Sequence, residues 1–337
     1  MSDMQESEVA EPAVKPKAEI IKDAVSLACR APSLHNSQPW RWVAEQGALQ
    51  LFLDPARVLN YDQSRREALI GCGAALHHLR VAMAAGGWDT ETKRFPDPEH
   101  PDHIASLEFK PAKHVTEGDL RRADAILMRR TDRLPFSAPM DWESFAPMLR
   151  EVVDPEAVRL EFLPDDLRPQ LAEASQIATS LRIYDSAYHT EIGWWTGEFR
   201  ASDGIPYSSL VSAAEGDRVD VGRHFPVPQG GGERRIEIPE DCAKIVLLST
   251  ETDTHADALA SGEALSAVLL KCTMADLATC TLTHITEVHT TRELLANLSG
   301  SETYPQLLIR VGVAPALETL PPITPRRTLA DVFHVES

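Results

Sequence analysis

Two long apolar stretches of this 337-residue chain have matching patterns. "GAALHHLRVAMAAGGWDT" begins at Gly73, and "GEALSAVLLKCTMADLAT" begins at Gly262, an offset of 189 residues (262 − 73). Both are long helical patterns, and each contains an Ala-Leu pair and a final threonine, Thr90 or Thr279. Shared apolar positions alone would indicate only that both helices are buried, but the matched glycine and threonine favour an internal duplication. We therefore expect two related halves.

Strand and helix patterns are mixed along both halves. "RWVAEQGALQLFLD", from Arg41, is typical of a hairpin with Gly47 at its turn, and "TEGD", from Thr116, predicts the start of a helix. In the second half, "KIVLLST" from Lys244 and "PQLLIRVGV" from Pro305 predict strands. This mixture indicates an α+β fold.

Composition limits the possible partners. The formal net charge of −18 argues against nucleic acid or an anionic membrane as a main partner, so an anionic ligand would need a local basic cluster. The five cysteines include no CxxC pair, which indicates reduced thiols and a cytoplasmic location. Residues 1–18 are polar and are predicted to be a mobile tail.

Glycines and prolines break every period between residues 194 and 239. An unstructured connection of this length is usually a lid or a disordered segment. Because Trp194 and Trp195 at its start favour packing, we expect a lid, and we name residues 194–239 the lid segment.

Three further motifs carry polar and basic side chains. They are "APSLHNSQPW" from Ala31, "RRTDRLPF" from Arg129 and "TPRRTL" from Thr324. Together with the helix at Gly262, they resemble the P-S-x-x-N-x-Q-P-W loop, the R-R-S-x-R-x-F motif, the C-terminal basic motif and the central dimer helix of nitroreductase-type flavoproteins. Their order differs from the family pattern, since the loop here precedes the RRTDR motif. Each half keeps one of the two complementary sets, so the resemblance implies a fused pseudo-dimer with one flavin site, as in the single-chain Acg-type FMN-binding proteins of actinobacteria.

The resemblance implies a set of FMN-binding residues. Arg129, Arg130, Arg326 and Arg327 are the candidates for the phosphate, since the planar guanidinium fork matches phosphate oxygens. Thr131 could add a hydroxyl donor, and Arg133 could stabilise negative charge near N1 of the reduced ring. The remaining expected contacts are Pro32, Ser33, Leu34, Asn36 and Thr283.

Structural interpretations of the same residues stay open at this point. The arginines could form solvated salt bridges in an acid-rich protein, and the loop could be a helix C-terminus stabilised by serine and asparagine. No catalytic side chain is nominated, because the flavin itself exchanges the hydride. "HITEVH" from His284 is not HExxH, so we expect no metal site.

The expected architecture is an α+β, nitroreductase-like fold, in which mixed sheets flanked by helices form two similar halves of an intramolecular pseudo-dimer with a lid insertion. The predicted halves are residues 19–120 and 121–337, the second including the lid segment. The expected function is ping-pong hydride transfer from NAD(P)H through FMN to a small acceptor, by a monomer. The alternative is FMN storage or sequestration, with the lid blocking nicotinamide, and a third possibility is an enzyme that consumes flavin itself.

Overall fold

The computed structural model describes residues 15–45, 47–197, 202–228, 233–317 and 323–336. Most of the predicted N-terminal tail, residues 1–14, lies outside the described residues, and so do residues 198–201 and 229–232 of the lid segment. The expectation of a mobile tail therefore falls largely outside the part that is described.

The first half consists of three helices and two antiparallel strand pairs. Its elements are α1 (Ala18–Ala28), β1 (Trp40–Glu45), β2 (Ala48–Leu53), α2 (Arg66–Ala85), β3 (Trp88–Arg94), β4 (His103–Pro111) and α3 (Glu117–Met128). Gly47 lies at the turn of the predicted β1–β2 hairpin with a φ of 86°. The predicted helix at Thr116 begins with a capping box in which Thr116 and Asp119 satisfy each other's backbone N–H groups.

The second half has more helix and contains the lid segment. Its elements are α4 (Trp142–Arg150), β5 (Arg159–Leu163), α5 (Arg168–Leu181), α6 (Ser186–Trp195), α7 (Ala213–Asp217), β6 (Lys244–Thr250), α8 (His255–Met274), β7 (Ala278–Leu282), α9 (His289–Ser299), β8 (Tyr304–Gly312), α10 (Leu329–Val332) and β9 (Phe333–Glu336). The described part of the lid segment contains α7 and a short 3₁₀ turn at Tyr207–Ser209, so it is not wholly irregular.

The strands form two sheets with related orders. The first sheet has the order β3-β4-β2-β1-β9. The second sheet, read in the corresponding direction, has the order β7-β8-β6-β5. The first sheet is mixed, because β9 pairs in parallel with β1. Among the described residues, the named strands of the second sheet pair antiparallel, and the parallel contact of this sheet is the isolated bridge between Thr131 and Thr279, so the mixed pairing expected in each half involves full strands only in the first. The parallel pairing depends on β9, which crosses over to the first sheet.

Helices α2 and α8 cross at the two matched glycines. A Cβ atom added to Gly73 would lie 2.0 Å from the carbonyl oxygen of Leu259, and one added to Gly262 would lie 2.0 Å from that of Ile70. Both carbonyls belong to the residue three positions before the opposite glycine, so the contact is symmetric. Only glycine allows the two backbones to approach this closely.

Two further pairs repeat the offset of 189 residues (266 − 77 and 276 − 87). The ring Nδ1 of His77 lies 2.7 Å from the hydroxyl of Ser266 across the helix crossing. After the helices, Gly87 and Asp276 both adopt positive φ, 83° and 56°. These left-handed residues explain a difference from the sequence pattern, which predicted helix from Gly262 to Thr279: α8 ends at Met274, and Thr279 lies in β7.

Helix α2 is long and apolar because it is a core helix. Among the described residues, Arg66–Ala85 is the one helix with the length and composition of a membrane-crossing segment, and 78% of its most apolar window is buried inside the fold. It packs with α8 between the two sheets in one large core that contains Trp40, Trp42 and Leu76.

The helix crossing makes a prediction about stability. Replacing Gly73 by alanine would place a methyl group against a backbone carbonyl that cannot rotate away. We expect Gly73→Ala to lower the free energy of unfolding by about 1–3 kcal/mol, measured by urea denaturation.

Gly193→Ala is the matched control for that measurement. Gly193 lies inside α6 and has no atom within 4 Å of the added Cβ, so alanine should leave stability unchanged or raise it. An unfolding midpoint for Gly73→Ala equal to that of the unmodified protein would contradict the role of the crossing.

Candidate functional site

A cavity of about 500 Å³ lies where the two halves meet, and this volume is in the range of small-molecule sites. Its wall combines the loop after α1, the first turns of α2, the segment after α3, strand β7 and the lid segment. Lining residues include Pro32, Ser33, Leu34, His35, Glu67, Ile70, Gly71, Thr131, Arg133, Val211, Arg223, Phe225, Leu265, Cys280 and Thr283. Elements far apart in the sequence therefore meet in one wall.

The loop between α1 and β1 is held in an unusual backbone conformation. His35, Asn36 and Gln38 have positive φ values of 51°, 59° and 54°, which non-glycine residues seldom adopt. Such residues each cost about 1–3 kcal/mol and persist only where their surroundings fix them. Here the hydroxyl of Ser33 accepts a hydrogen bond of 2.9 Å from the backbone N–H of Gln38, which closes the loop on itself.

The amide side chains of this loop connect distant parts of the chain. The Nδ2 of Asn36 donates to the carbonyl oxygens of Gly204 and Pro325, each at 3.0 Å. The Nε2 of Gln38 donates to the carbonyl of Ser202 at 3.0 Å, and its Oε1 accepts from the backbone N–H of Arg327 at 2.8 Å. Asn36 and Gln38 therefore tie the lid segment and the C-terminal segment to the loop.

The predicted loop residues thus divide into two groups. Pro32, Ser33 and Leu34 line the cavity, as a rim for a ligand would. Asn36 is buried but does not line the cavity, because its side chain is used by the two carbonyls just described.

The segment after α3 runs along strand β7. Thr131 forms a parallel bridge with Thr279, and the N–H of Asp132 donates to the carbonyl of Thr279 at 3.0 Å. This pairing directs Thr131 and Arg133 to the cavity wall. Burial lowers the pKa of Arg133, whose guanidinium lies 5.2 Å from the ring of Phe225 in the lid segment.

Arg129 and three other arginines form a basic cluster. Its members are Arg30, Arg129, Arg130 and Arg326. Burial, together with Arg30 and Arg130, lowers the pKa of Arg129 to about 10. Burial, together with Arg129 and Arg30, lowers the pKa of Arg326 to about 9. Arg129 is buried and the other three arginines are half-buried. Like charges in such surroundings disfavour each other, so the cluster carries unrelieved positive charge.

The described residues offer this cluster no carboxylate within salt-bridge distance. The Nε atoms of Arg30 and Arg129 are buried without a hydrogen-bond partner. His78, fully buried beside the cluster, also has no partner for either ring nitrogen, and burial and Arg129 keep its pKa well below the usual value. A buried charge without an acidic partner is costly, and such a cluster is a candidate anion site.

Arg326 and Arg327 use their donors within the protein. Arg326 donates to backbone carbonyls at the end of α1 and in its own segment. Arg327 donates to the carbonyl of Gln38 at 3.2 Å and forms an ion pair of 3.1 Å with Asp54. Arg327 therefore fastens the C-terminal segment to the first half.

Thr283 belongs to a buried polar group at the opposite wall. Its hydroxyl donates to Glu287 at 2.6 Å, and Glu287 also forms an ion pair with Arg223 of the lid segment. Arg223 donates to the hydroxyl of Tyr188 at 2.7 Å. Burial alone would raise the pKa of Glu287, but Arg223 and the hydrogen bonds from Arg223 and Thr283 lower it to about 2.

Several cavity residues were absent from the sequence predictions. Glu67, His35, Arg223 and Cys280 all line the wall. Burial raises the pKa of Glu67 well above its usual range, against the effect of the neighbouring Arg66. His35 could have been noticed inside the loop motif, whereas no local pattern distinguishes Arg223 or Glu67 from surface charges.

The two histidines of "HITEVH" have different surroundings. His284 is buried with its Nε2 2.7 Å from the hydroxyl of Ser175, and His289 is exposed at the start of α9. No group of three or more potential metal ligands occurs among the described residues.

Comparisons with known proteins give relatives along nearly the whole chain. "Putative NAD(P)H nitroreductase acg" of Mycobacterium tuberculosis is 58% identical over 320 residues, which are 95% of this chain and 96% of that protein. "Putative NAD(P)H nitroreductase Rv3131" of the same organism is 36% identical over 324 residues, 95% of this chain and 92% of that protein. No family model matches the chain. Among solved structures, the FMN-dependent nitroreductase NfnB from Mycobacterium smegmatis in complex with NADPH has a TM-score of 0.39 and 13% identity, covering 64% of this chain and 97% of that one.

The Glu287 ion pair predicts a pH dependence of stability. A pKa of about 2 in the folded state lies below the value of roughly 4.3 expected in the unfolded state. The charged form therefore stabilises the fold above about pH 4.3, and this contribution is lost as the pH falls towards 2. We expect Glu287→Gln to be less stable than the unmodified protein at pH 6, with a difference that becomes smaller at pH 3.5.

Urea unfolding at the two pH values measures this difference. Glu173→Gln, an exposed substitution of the same type on α5, controls for the general effect of removing one carboxylate. A difference for Glu287→Gln that stays constant between pH 6 and pH 3.5 would contradict the assignment.

Proposed function

The chain belongs to the Acg family of nitroreductase-like proteins, and from this premise we propose that it binds one FMN between its two halves and works as an NAD(P)H-dependent oxidoreductase. The names of the relatives support the choice of donor. FMN fits the chemistry of the cavity, since it combines a flat ring system with a phosphate monoester of charge about −1.5 to −2.

One observation carries the proposal. Two segments, Arg30–Leu34 and Arg129–Arg133, each begin in the basic cluster and continue into the cavity wall. Four extended residues span at most about 14 Å, so each segment reaches from an anion site to a pocket for a larger, less polar group. The Nε atoms of Arg30 and Arg129 are buried without a hydrogen-bond partner, which supports a phosphate at the end of each segment that lies in the basic cluster.

From this arrangement we propose a role in FMN binding for each residue predicted from the sequence. Arg129 and Arg130 would bind the phosphate, and Thr131 would donate its hydroxyl to the linker between phosphate and ring. Arg133 and Thr283 would face the ring from the β7 side. Pro32, Ser33 and Leu34 would form the opposite rim, while Asn36, Arg326 and Arg327 would hold these segments in place.

The two halves would be an internal pseudo-dimer, with residues 19–120 and 121–337 as its parts. The repeated offset of 189 residues at the helix crossing and the matching strand orders support a duplication. A pseudo-dimer of this kind already contains the subunit interface, so we propose a monomer. Only one arrangement of loop, RRTDR segment and basic cluster is present among the described residues, which supports one FMN per chain.

When bound, FMN would supply the chemistry, accepting a hydride from NAD(P)H and passing it to a small acceptor such as a nitroaromatic or a quinone in a ping-pong sequence. The chain would contribute position and charge. Arg133 would favour negative charge at the near edge of the ring, and the rigid loop would lower the ordering cost of binding. The lid segment would exclude water from the cavity.

A second candidate is FMN storage, and the lid segment favours it. Val211, Arg223 and Phe225 line the cavity, and Arg223 is held by the buried ion pair with Glu287. Asp203 adds a 2.5 Å ion pair to Arg57 on the first half. If this closed position is permanent, a nicotinamide has no access to the ring.

Cofactor binding is the first test. We expect the purified protein to be yellow, or to bind added FMN with a Kd in the micromolar range or below, and Arg129→Gln to weaken FMN binding at least tenfold. Fluorescence quenching of FMN measures this affinity. A colourless protein that does not bind FMN would overturn the proposal.

Access of the donor is the second test. In stopped-flow experiments, NADPH should bleach the flavin absorbance of the FMN-loaded protein. Asp203→Asn, which loosens the lid segment outside the cavity, should bleach faster, whereas Asp165→Asn, which removes an exposed ion pair with Lys244, should not change the rate. Absence of bleaching in all three proteins would reject the oxidoreductase in favour of storage.

A further inference from the structure

We infer that Arg30 binds the phosphate directly, and that Arg326, although it belongs to the same cluster, positions Arg30 without touching the phosphate. This inference rests on the proposed function and assigns the specificity of that site. Arg30 precedes the loop motif and lies outside the set predicted from the sequence.

The guanidinium of Arg326 has no free donor. Its Nε donates to the carbonyl of Cys29 at 2.8 Å, and its Nη2 donates to the carbonyls of Arg30 and Ala31 at 3.0 and 3.4 Å. Its Nη1 donates to the carbonyls of Thr324 and Pro325 at 3.3 and 2.9 Å. These contacts use the five N–H groups that an arginine possesses. Arg326 therefore holds the turn that follows α1, and binding a phosphate would require it to give up these hydrogen bonds.

Arg30 is in the opposite situation. It lies just after the C-terminal residue of α1, where an arginine could cap the helix carbonyls. The carbonyls of Val25, Leu27 and Ala28 already accept hydrogen bonds from backbone N–H groups of the turn after α1, so the guanidinium of Arg30 is not needed there. Its Nε is buried without a partner, and burial and Arg130 lower its pKa. The described residues form no ion pair with Arg30, which leaves its charge available to a ligand.

The position of Arg30 gives the site its selectivity. Arg30 comes from the first half, and Arg129 and Arg130 come from the second, so positive charges from both halves act on one another in the basic cluster. A dianionic phosphate monoester would relieve their mutual repulsion, whereas an uncharged hydroxyl would not. The cluster therefore selects phosphorylated flavin over riboflavin.

Affinities for FMN and riboflavin separate the two roles. We expect Arg30→Gln to weaken FMN binding by about 10- to 100-fold and to leave riboflavin binding unchanged, since only FMN has the phosphate. Arg326→Gln should lower the melting temperature of the ligand-free protein and weaken FMN and riboflavin by similar factors, because it disturbs the loop itself. Arg159→Gln, an exposed arginine of the second half, controls for the loss of one positive charge.

Two outcomes would overturn the inference. One is an Arg30→Gln variant that keeps the full preference for FMN over riboflavin; FMN binding by the unmodified protein would then leave the proposed function intact. The other is an Arg326→Gln variant that loses affinity for FMN alone and keeps its melting temperature.

Inorganic phosphate provides a test that needs no flavin. We expect millimolar phosphate to raise the melting temperature of the unmodified protein more than that of Arg30→Gln. Equal shifts in the two proteins would count against Arg30 as a ligand. If the unmodified protein fails to bind FMN but shows this Arg30-dependent shift, the proposed function is wrong and the anion site remains.

Discussion

The backbone contact between α2 and α8 is the constraint on which the rest of the structure depends. Because neither Gly73 nor Gly262 has a side chain, the helices approach so closely that an added Cβ on either glycine would lie 3.0 or 2.9 Å from the Cα of the other. The crossing fixes where the sheets lie and brings the first turns of α2 against the middle of α8. Ile70 and Gly71 from one helix and Leu265 from the other consequently share one cavity wall.

Electrostatics divides the arginines of this acidic protein into two kinds. Most of those near the lid segment are paired with carboxylates, such as Arg168 with Asp220 and Asp241. The basic cluster is different, since burial and neighbouring arginines lower the pKa of Arg30, Arg129 and Arg326, and the described residues form no ion pair with the cluster. A chain with a net charge of −18 has many acids that could have been placed there. The absence of an acidic partner for these arginines, in the part of the chain that the structure describes, is a local feature that the overall charge does not reveal.

Much of the fold could be predicted from local patterns. The β1–β2 hairpin, the capping box at Thr116 and the paired central helices all leave periodic or turn signals in the sequence. The ends of α2 and α8 were harder to predict. An apparently continuous apolar pattern becomes helix followed by strand at a single left-handed residue, Gly87 or Asp276. The exchange of β9 onto the first sheet leaves no local signal, since parallel pairing joins residues about 290 positions apart (333 − 42 = 291).

The candidate site shows the same limit. Motifs located the loop at Pro32 and the segment at Arg129, but they could not say which arginine in a pair has free donors. That depends on carbonyls in the turn after α1, which only the folded chain brings to Arg326. Glu67 and Arg223 are likewise identified by burial and position alone.

The pairing of β9 with β1 has a consequence for the order of events in the cell. Residues 324–336 leave the ribosome after every other described part of the chain, yet they supply hydrogen bonds to the turn after α1, a partner for Asn36 and an edge of the first sheet. During synthesis, the loop with its strained residues has no such support and the first sheet lacks its outer strand. The loop gains its full support only when this final stretch has arrived, and we therefore expect cofactor loading to follow it.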